Sequence, residues 1–156
     1  MLEPLLAALA SPGYPALFGL SFLAATLLPV GSEWLVAAML LDQRDPVAVT
    51  AVAAAGNTLG ACTTWLVGIA GGPFLVRRVL RIGPSAEERA VGLYRRYGVW
   101  TLFFSWLPLV GDPLCLAAGV LRIGFGRFVL FVFTGKLARY AAVTWLTLGG
   151  MRLFAG

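Results

Sequence analysis

The sequence contains no histidine. Imidazole-based triads, imidazole proton relays and most zinc sites are therefore excluded. Cysteine is almost as scarce. Cys62 and Cys115 both lie inside apolar stretches, where each reads as a small packing residue rather than half of a disulfide. Charged residues make up 12% of the 156 residues, about half the share of an ordinary soluble domain. No nucleophile–base pair and no metal-ligand cluster stands out, so neither an enzyme nor a cofactor nor a bound metal is expected. The opening stretch MLEPLLAALA lacks the basic segment of a cleaved signal peptide. It reads as a short interfacial helix ending at Pro12-Gly13.

What the chain does have is apolar surface. Hydrophobic residues account for 60% of it. A chain this short has too little interior to hide that much apolar surface from water. A bilayer is the solvent that fits, and residues 1–156 form a single membrane domain. The net charge of +5 is read as a report of orientation, not of nucleic-acid binding. Six arginines, Arg77, Arg78, Arg81, Arg89, Arg95 and Arg96, are opposed locally only by Glu87 and Glu88. The segment 74–96 is therefore placed on the cytoplasmic side. Its interleaved Phe74, Leu75, Val79, Leu80, Ile82 and Leu93 make it an amphipathic connector in the interface plane. Ser85 and Glu88 have the spacing of a capping box. Contact with anionic lipid is a secondary role for this segment.

Two apolar runs are intact and two are broken. Residues 47–70 and 128–150 are long enough to span, at about 20 residues per crossing. Pro46 suits the first turn of the former, and Gly71-Gly72-Pro73 ends it. The run 14–41 is interrupted at Pro29, Gly31 and Glu33. The run 98–121 is interrupted at Pro108, Gly111, Asp112 and Pro113. Proline removes a backbone donor and clashes with the preceding turn, so neither run continues as one helix.

The broken runs share a register. Glu33 follows Pro29 by four residues, as Asp112 follows Pro108. Gly56 lies 27 residues after Pro29, and Gly135 lies 27 after Pro108. The next positions are Asn57 and Lys136. Residues 14–70 and 98–150 thus read as two repeats. Each broken run is either one kinked span or a re-entrant hairpin. Residues 33–41 supply about 14 Å of helix, roughly half the hydrocarbon core, which favours the hairpin. Returning hairpins also keep Arg122 and Arg127 on the side of the arginine-rich segment. The expected fold is all-α: an inverted repeat of two re-entrant hairpins, each followed by a transmembrane helix.

Four ionisable side chains fall within these segments: Glu33, Asp112, Lys136 and Arg139. Each costs roughly 2.5–3.5 kcal/mol at mid-bilayer even on lenient insertion scales. They form either a structural pair of salt bridges or a polar site exposed in turn to the two faces. In the second case the basic pair holds an anionic group, such as a lipid phosphate, and either carboxylate carries a coupling proton. Asn57 hydrogen-bonds a hairpin backbone or a substrate. Gly56 and Gly60 form a GxxxG that favours close packing.

The stretches SFLAATLLPVGSEWLVAAML, GNTLGACTTWLVG, YRRYGVWTLFFSWLPLVGDPLCLAAGVLRI and GKLARY resemble the YqaA-type branch of the DedA family, whose shared region is the VTT or SNARE-associated Golgi domain. SWLPLVGDPLCLAAG followed by GKLARY is the specific part. The resemblance implies two facing re-entrant hairpins in the bacterial inner membrane and a role in moving lipids across it. Family members are linked to recycling undecaprenyl phosphate, to flipping or scrambling phospholipids, and to proton-dependent drug or cation tolerance. Glu33 matches the acid after the first-hairpin proline, and Pro108 the second-hairpin proline. This chain departs where relatives carry an additional upstream acid and arginines flanking the second proline: residues 13–28 are uncharged, and Ser105 and Gly111 stand at the arginine places. The expected function is a lipid flippase or scramblase for a phosphate-bearing lipid. A proton-coupled exporter of small cations or drugs and a non-transporting scaffold are the alternatives. The expected partners are membrane lipids, with a homo-oligomer left open.

Overall fold

In the computed structural model, the described residues are 13–26, 31–71, 83–107 and 110–154. The tip prolines Pro29 and Pro108, the expected interfacial helix at the N-terminus, and Arg77, Arg78 and Arg81 lie outside them. The elements in order are α1 (Tyr14–Ala24), α2 (Glu33–Leu41), α3 (Pro46–Ala70), α4 (Pro84–Tyr97), a 3-10 helix (Gly98–Trp106), α5 (Gly111–Val120) and α6 (Phe125–Phe154). All are helical, and α3 and α6 are long and apolar enough to cross a membrane.

Local chemistry sets most of the boundaries. Asp45 caps α3, its carboxylate accepting from the Val47 and Ala48 amides at 3.3 Å each, with Pro46 in the first turn. Gly71 ends α3 in the left-handed conformation, φ 69°. The capping box expected at Ser85 does not form. Pro84 already lies in the first turn of α4, with Gly83 as N-cap, so Ser85 is inside the helix. Ser32 precedes α2 yet makes no capping bond, because its hydroxyl is engaged elsewhere.

The four segments that make up the broken runs pack on the two long helices. α1 and α2 contact α3, the 3-10 helix contacts α6, α5 contacts α3, and α2 packs more extensively on α6 than on α3. Glycines permit the closest approaches. A Cβ on Gly56 or Gly60 would run into the Phe18 or Phe22 carbonyl of α1, and one on Gly68 or Gly119 would collide at the α3–α5 crossing. The expected GxxxG thus packs against the first broken run. Thr64 adds a bond from its hydroxyl to the Ala25 carbonyl at 3.2 Å.

α3 and α6 run antiparallel. Thr50 bonds Thr144 at 2.7 Å, Asn57 bonds Lys136, and the Trp65 ring stacks on Phe128 with centroids 5.7 Å apart. One number rises as the other falls along the whole crossing. Two large clusters make up most of the described core around this pair. One gathers Leu17, Val36, Met39, Val49 and Ala53 around Tyr140; the other gathers Trp65, Leu102, Leu114, Cys115 and Phe128. Outside them, Leu66, Trp100, Leu130, Trp145 and Leu146 are exposed. That apolar rim suits contact with lipid, since water would leave it uncovered at a cost.

Candidate functional site

The site is built where the polar residues of the broken runs meet α3 and α6. Asn57 is buried on α3 and uses both ends of its amide. Its Oδ1 accepts from the Lys136 ammonium, and its Nδ2 donates to the Ser21 carbonyl at 3.1 Å and to the Tyr140 hydroxyl at 3.1 Å. Only the oxygen can face an ammonium, so this network fixes the amide's orientation. Of the two roles open to Asn57, a bond to the backbone of the first broken run is present, at Ser21.

Tyr140 is the hub. Accepting from Asn57 leaves its own proton for Ser32, whose Oγ lies 2.6 Å away. Ser21 donates to the same Ser32 Oγ at 3.0 Å. Five buried side chains from α1, the start of α2, α3 and α6 therefore form one connected network. One residue before Tyr140, Arg139 pairs with Glu33, one residue after Ser32. The other arm of the guanidinium donates to the Trp106 carbonyl at 3.1 Å. Two adjacent links tie the start of α2 to one turn of α6.

The second broken run is held differently. Asp112 is partly buried at the start of α5 and feels the positive charges of Lys136 and Arg139. Among the described residues, its carboxylate has no hydrogen-bond or ion-pair partner. Lys136 is 3% exposed and, among the described residues, pairs with no carboxylate. The structure thus brings Glu33 to Arg139 and Asn57 to Lys136, and leaves Asp112, among the described residues, without a hydrogen bond or salt bridge. Of the two salt bridges that the structural alternative requires, one is formed. Gly111 and Pro113 are buried at the head of α5 beside Asp112, and Gly31 precedes the Ser32–Glu33 pair.

Sequence reading missed Ser21, Ser32 and Tyr140. Serine in an apolar run carries little signal, because its hydroxyl so often bonds its own helix. Tyr140 stood in the GKLARY stretch, one turn past Lys136 on the same face, and that spacing was the available clue.

Tyr94 of α4 is buried and donates its hydroxyl to the Leu114 carbonyl at 3.1 Å, docking α4 on α5. Burial pushes its phenol well above the ordinary range. Arg89, Arg95 and Arg96 remain exposed.

Comparison with known proteins gives one family. The model of the VTT domain matches residues 28–148. The chain is 43% identical over 137 residues to the inner membrane protein YqaA of Escherichia coli, covering 87% of this chain and 92% of that one. An uncharacterised protein of Haemophilus influenzae is 36% identical over 137 residues, covering 81% and 82%. No solved structure gives a significant match.

Proposed function

This chain belongs to the VTT-domain (DedA) family of membrane proteins, in its YqaA branch, and from that premise we propose that it is a small transporter moving a phosphate-bearing lipid across the inner membrane. The observation that carries the reading is Lys136. It is an ammonium buried at the crossing of α3 and α6, held by a neutral amide and, among the described residues, by no carboxylate. A buried cation in no direct ion pair is costly, and an anionic headgroup offsets that cost. A cationic drug meets a like charge at the same place, so the exporter reading is the less favoured one. Asp112 is the carboxylate free to exchange a proton during the cycle, because Glu33 is held by Arg139.

The packing supports two inverted repeats. The first arm of each broken run lies on the long helix that follows it, α1 on α3 and the 3-10 helix on α6. The second arm lies on the other long helix, α5 on α3 and α2 on α6. The long helices cross antiparallel, with the corresponding positions Asn57 and Lys136 in contact. In this reading both broken runs are re-entrant hairpins that enter from opposite faces. Alternating access is a rocking of one repeat against the other around the crossing. Segment 74–96 is cytoplasmic, as the positive-inside bias requires.

The test is reconstitution in liposomes. A fluorescent phosphate-monoester lipid should change leaflet faster in vesicles holding the protein than in protein-free vesicles. Uptake of a cationic dye without lipid movement would support the exporter instead, and neither activity would support a scaffold.

A further inference from the structure

Ser105 is the one buried side chain among the described residues whose polar atom has no hydrogen-bond partner. It is 3% exposed, in the 3-10 helix. Such a hydroxyl costs free energy that an alanine would not. Its position is also specific. The Ser105 Oγ lies 3.7 Å from the point where a side chain on Gly135 would begin, and Gly135 precedes Lys136. The Ser105 carbonyl closes over Gly111, which precedes Asp112. The 3-10 helix, α5 and α6 therefore meet at Ser105, with Asp112 and Lys136 each one residue along the chain from that contact.

The remaining polar groups nearby are already committed. Arg139 is shared between Glu33 and the Trp106 carbonyl, and Tyr140 is fixed by Ser32 and Asn57. Lys136 has three N–H donors and gives one to Asn57. The site is divided accordingly. One half is a clamp, made of Glu33–Arg139 and Ser32–Tyr140. The other half holds donors with nothing in the described protein to receive them.

We propose that Ser105 is a ligand-contacting, specificity-determining residue, and that with Lys136 it binds a phosphoryl oxygen while Asp112 bounds the same subsite. The proposal rests on the transport reading above and names the group that reading does not supply. The Ser105 hydroxyl and the spare Lys136 protons both donate to one anionic group. Asp112 opposite accepts a hydrogen bond from any P–OH that the group retains, and it disfavours a fully ionised one. The phosphoryl group belongs either to a lipid headgroup or to free phosphate, and both present the same oxygens.

The experiment uses the full chain in detergent, wild type and Ser105→Ala. Melting is followed while dihexanoyl phosphatidic acid is titrated in one arm and inorganic phosphate in the other. Without ligand, Ser105→Ala should melt at or above the wild-type temperature, because it removes an unpartnered buried hydroxyl. Its affinity for the phosphate group should fall about tenfold, the usual cost of a hydrogen bond to a charged group. A fall seen only with the lipid puts the phosphoryl group on a headgroup; a fall seen with inorganic phosphate alone keeps the subsite and assigns it to free phosphate. Equal affinity in the two proteins overturns the subsite and leaves the transport reading standing. A lower melting temperature with unchanged affinity also overturns it, by showing a structural role. No binding by the wild type in either arm overturns both.

Discussion

Asn57 and Lys136 occupy corresponding places in the two halves of the sequence, each one residue past a glycine at the same distance from a proline, and in the structure they bond to each other. The contact joins α3 to α6 and anchors the buried cation.

Replacing Asn57 with leucine removes the acceptor for Lys136 and two further bonds, to Ser21 and Tyr140. Each neutral bond contributes about 1 kcal/mol and the bond to the ammonium more. The expected loss is about 3–4 kcal/mol, seen as a large drop in melting temperature in detergent. A loss below about 1 kcal/mol would show that the network carries little of the fold.

Ser32 and Tyr140 should behave as one unit. Ser32→Ala and Tyr140→Phe each break the same 2.6 Å bond, so their effects should not add. A double-mutant cycle on melting should return a coupling of about 1 kcal/mol. Simple additivity would mean that the hydroxyls do not depend on each other.

The Glu33–Arg139 pair keeps partial solvent contact, with Arg139 22% and Glu33 27% exposed. Breaking a fully buried pair costs roughly 3–5 kcal/mol, and exposure reduces that. Glu33→Gln should therefore destabilise by about 2 kcal/mol. If the pair is a clamp, exchanging the charges in a Glu33→Arg, Arg139→Glu double variant should recover part of that stability. No recovery would show that Arg139 acts mainly through the Trp106 carbonyl.

Tyr94 sets a limit on the alkaline side. The fold holds its phenol neutral and raises its pKa above the ordinary value of about 10. Its contribution is complete below pH 10. It declines as pH rises through the unfolded value toward the raised folded one. The connector α4 should loosen from α5 in that window, measured by protease sensitivity of residues 83–97. Tyr94→Phe should remove this alkaline step, at the cost of the bond to Leu114 at every pH.

Much of the architecture was legible because it is written in apolar length and in proline and glycine. Pro46 and Gly71 bracket α3 where expected, and the first broken run is indeed split, α1 ending at Ala24 and α2 beginning at Glu33. Glu33, Asp112, Lys136 and Arg139 were visible because charge in such segments is rare. Their pairing was not legible. Spacing put Glu33 and Asp112 in equivalent places, yet Arg139 reaches only Glu33. The choice depends on how α2 and α5 dock on different helices, which is a tertiary fact. The 3-10 geometry of Gly98–Trp106 was equally hidden, since its residues are as apolar as a helix's. The Ser85 capping box failed because Pro84 starts α4 one residue earlier.

The most direct test of the central claim is the translocation rate of a phosphate-monoester lipid in proteoliposomes containing wild type, Lys136→Ala or Lys136→Arg at matched, folded protein density. Loss of the ammonium in Lys136→Ala should slow translocation at least about tenfold, the equivalent of one charge-assisted bond. Lys136→Arg, which keeps the charge, should recover part of the rate. Equal rates in wild type and Lys136→Ala would contradict the account and leave the buried ammonium with a structural role alone.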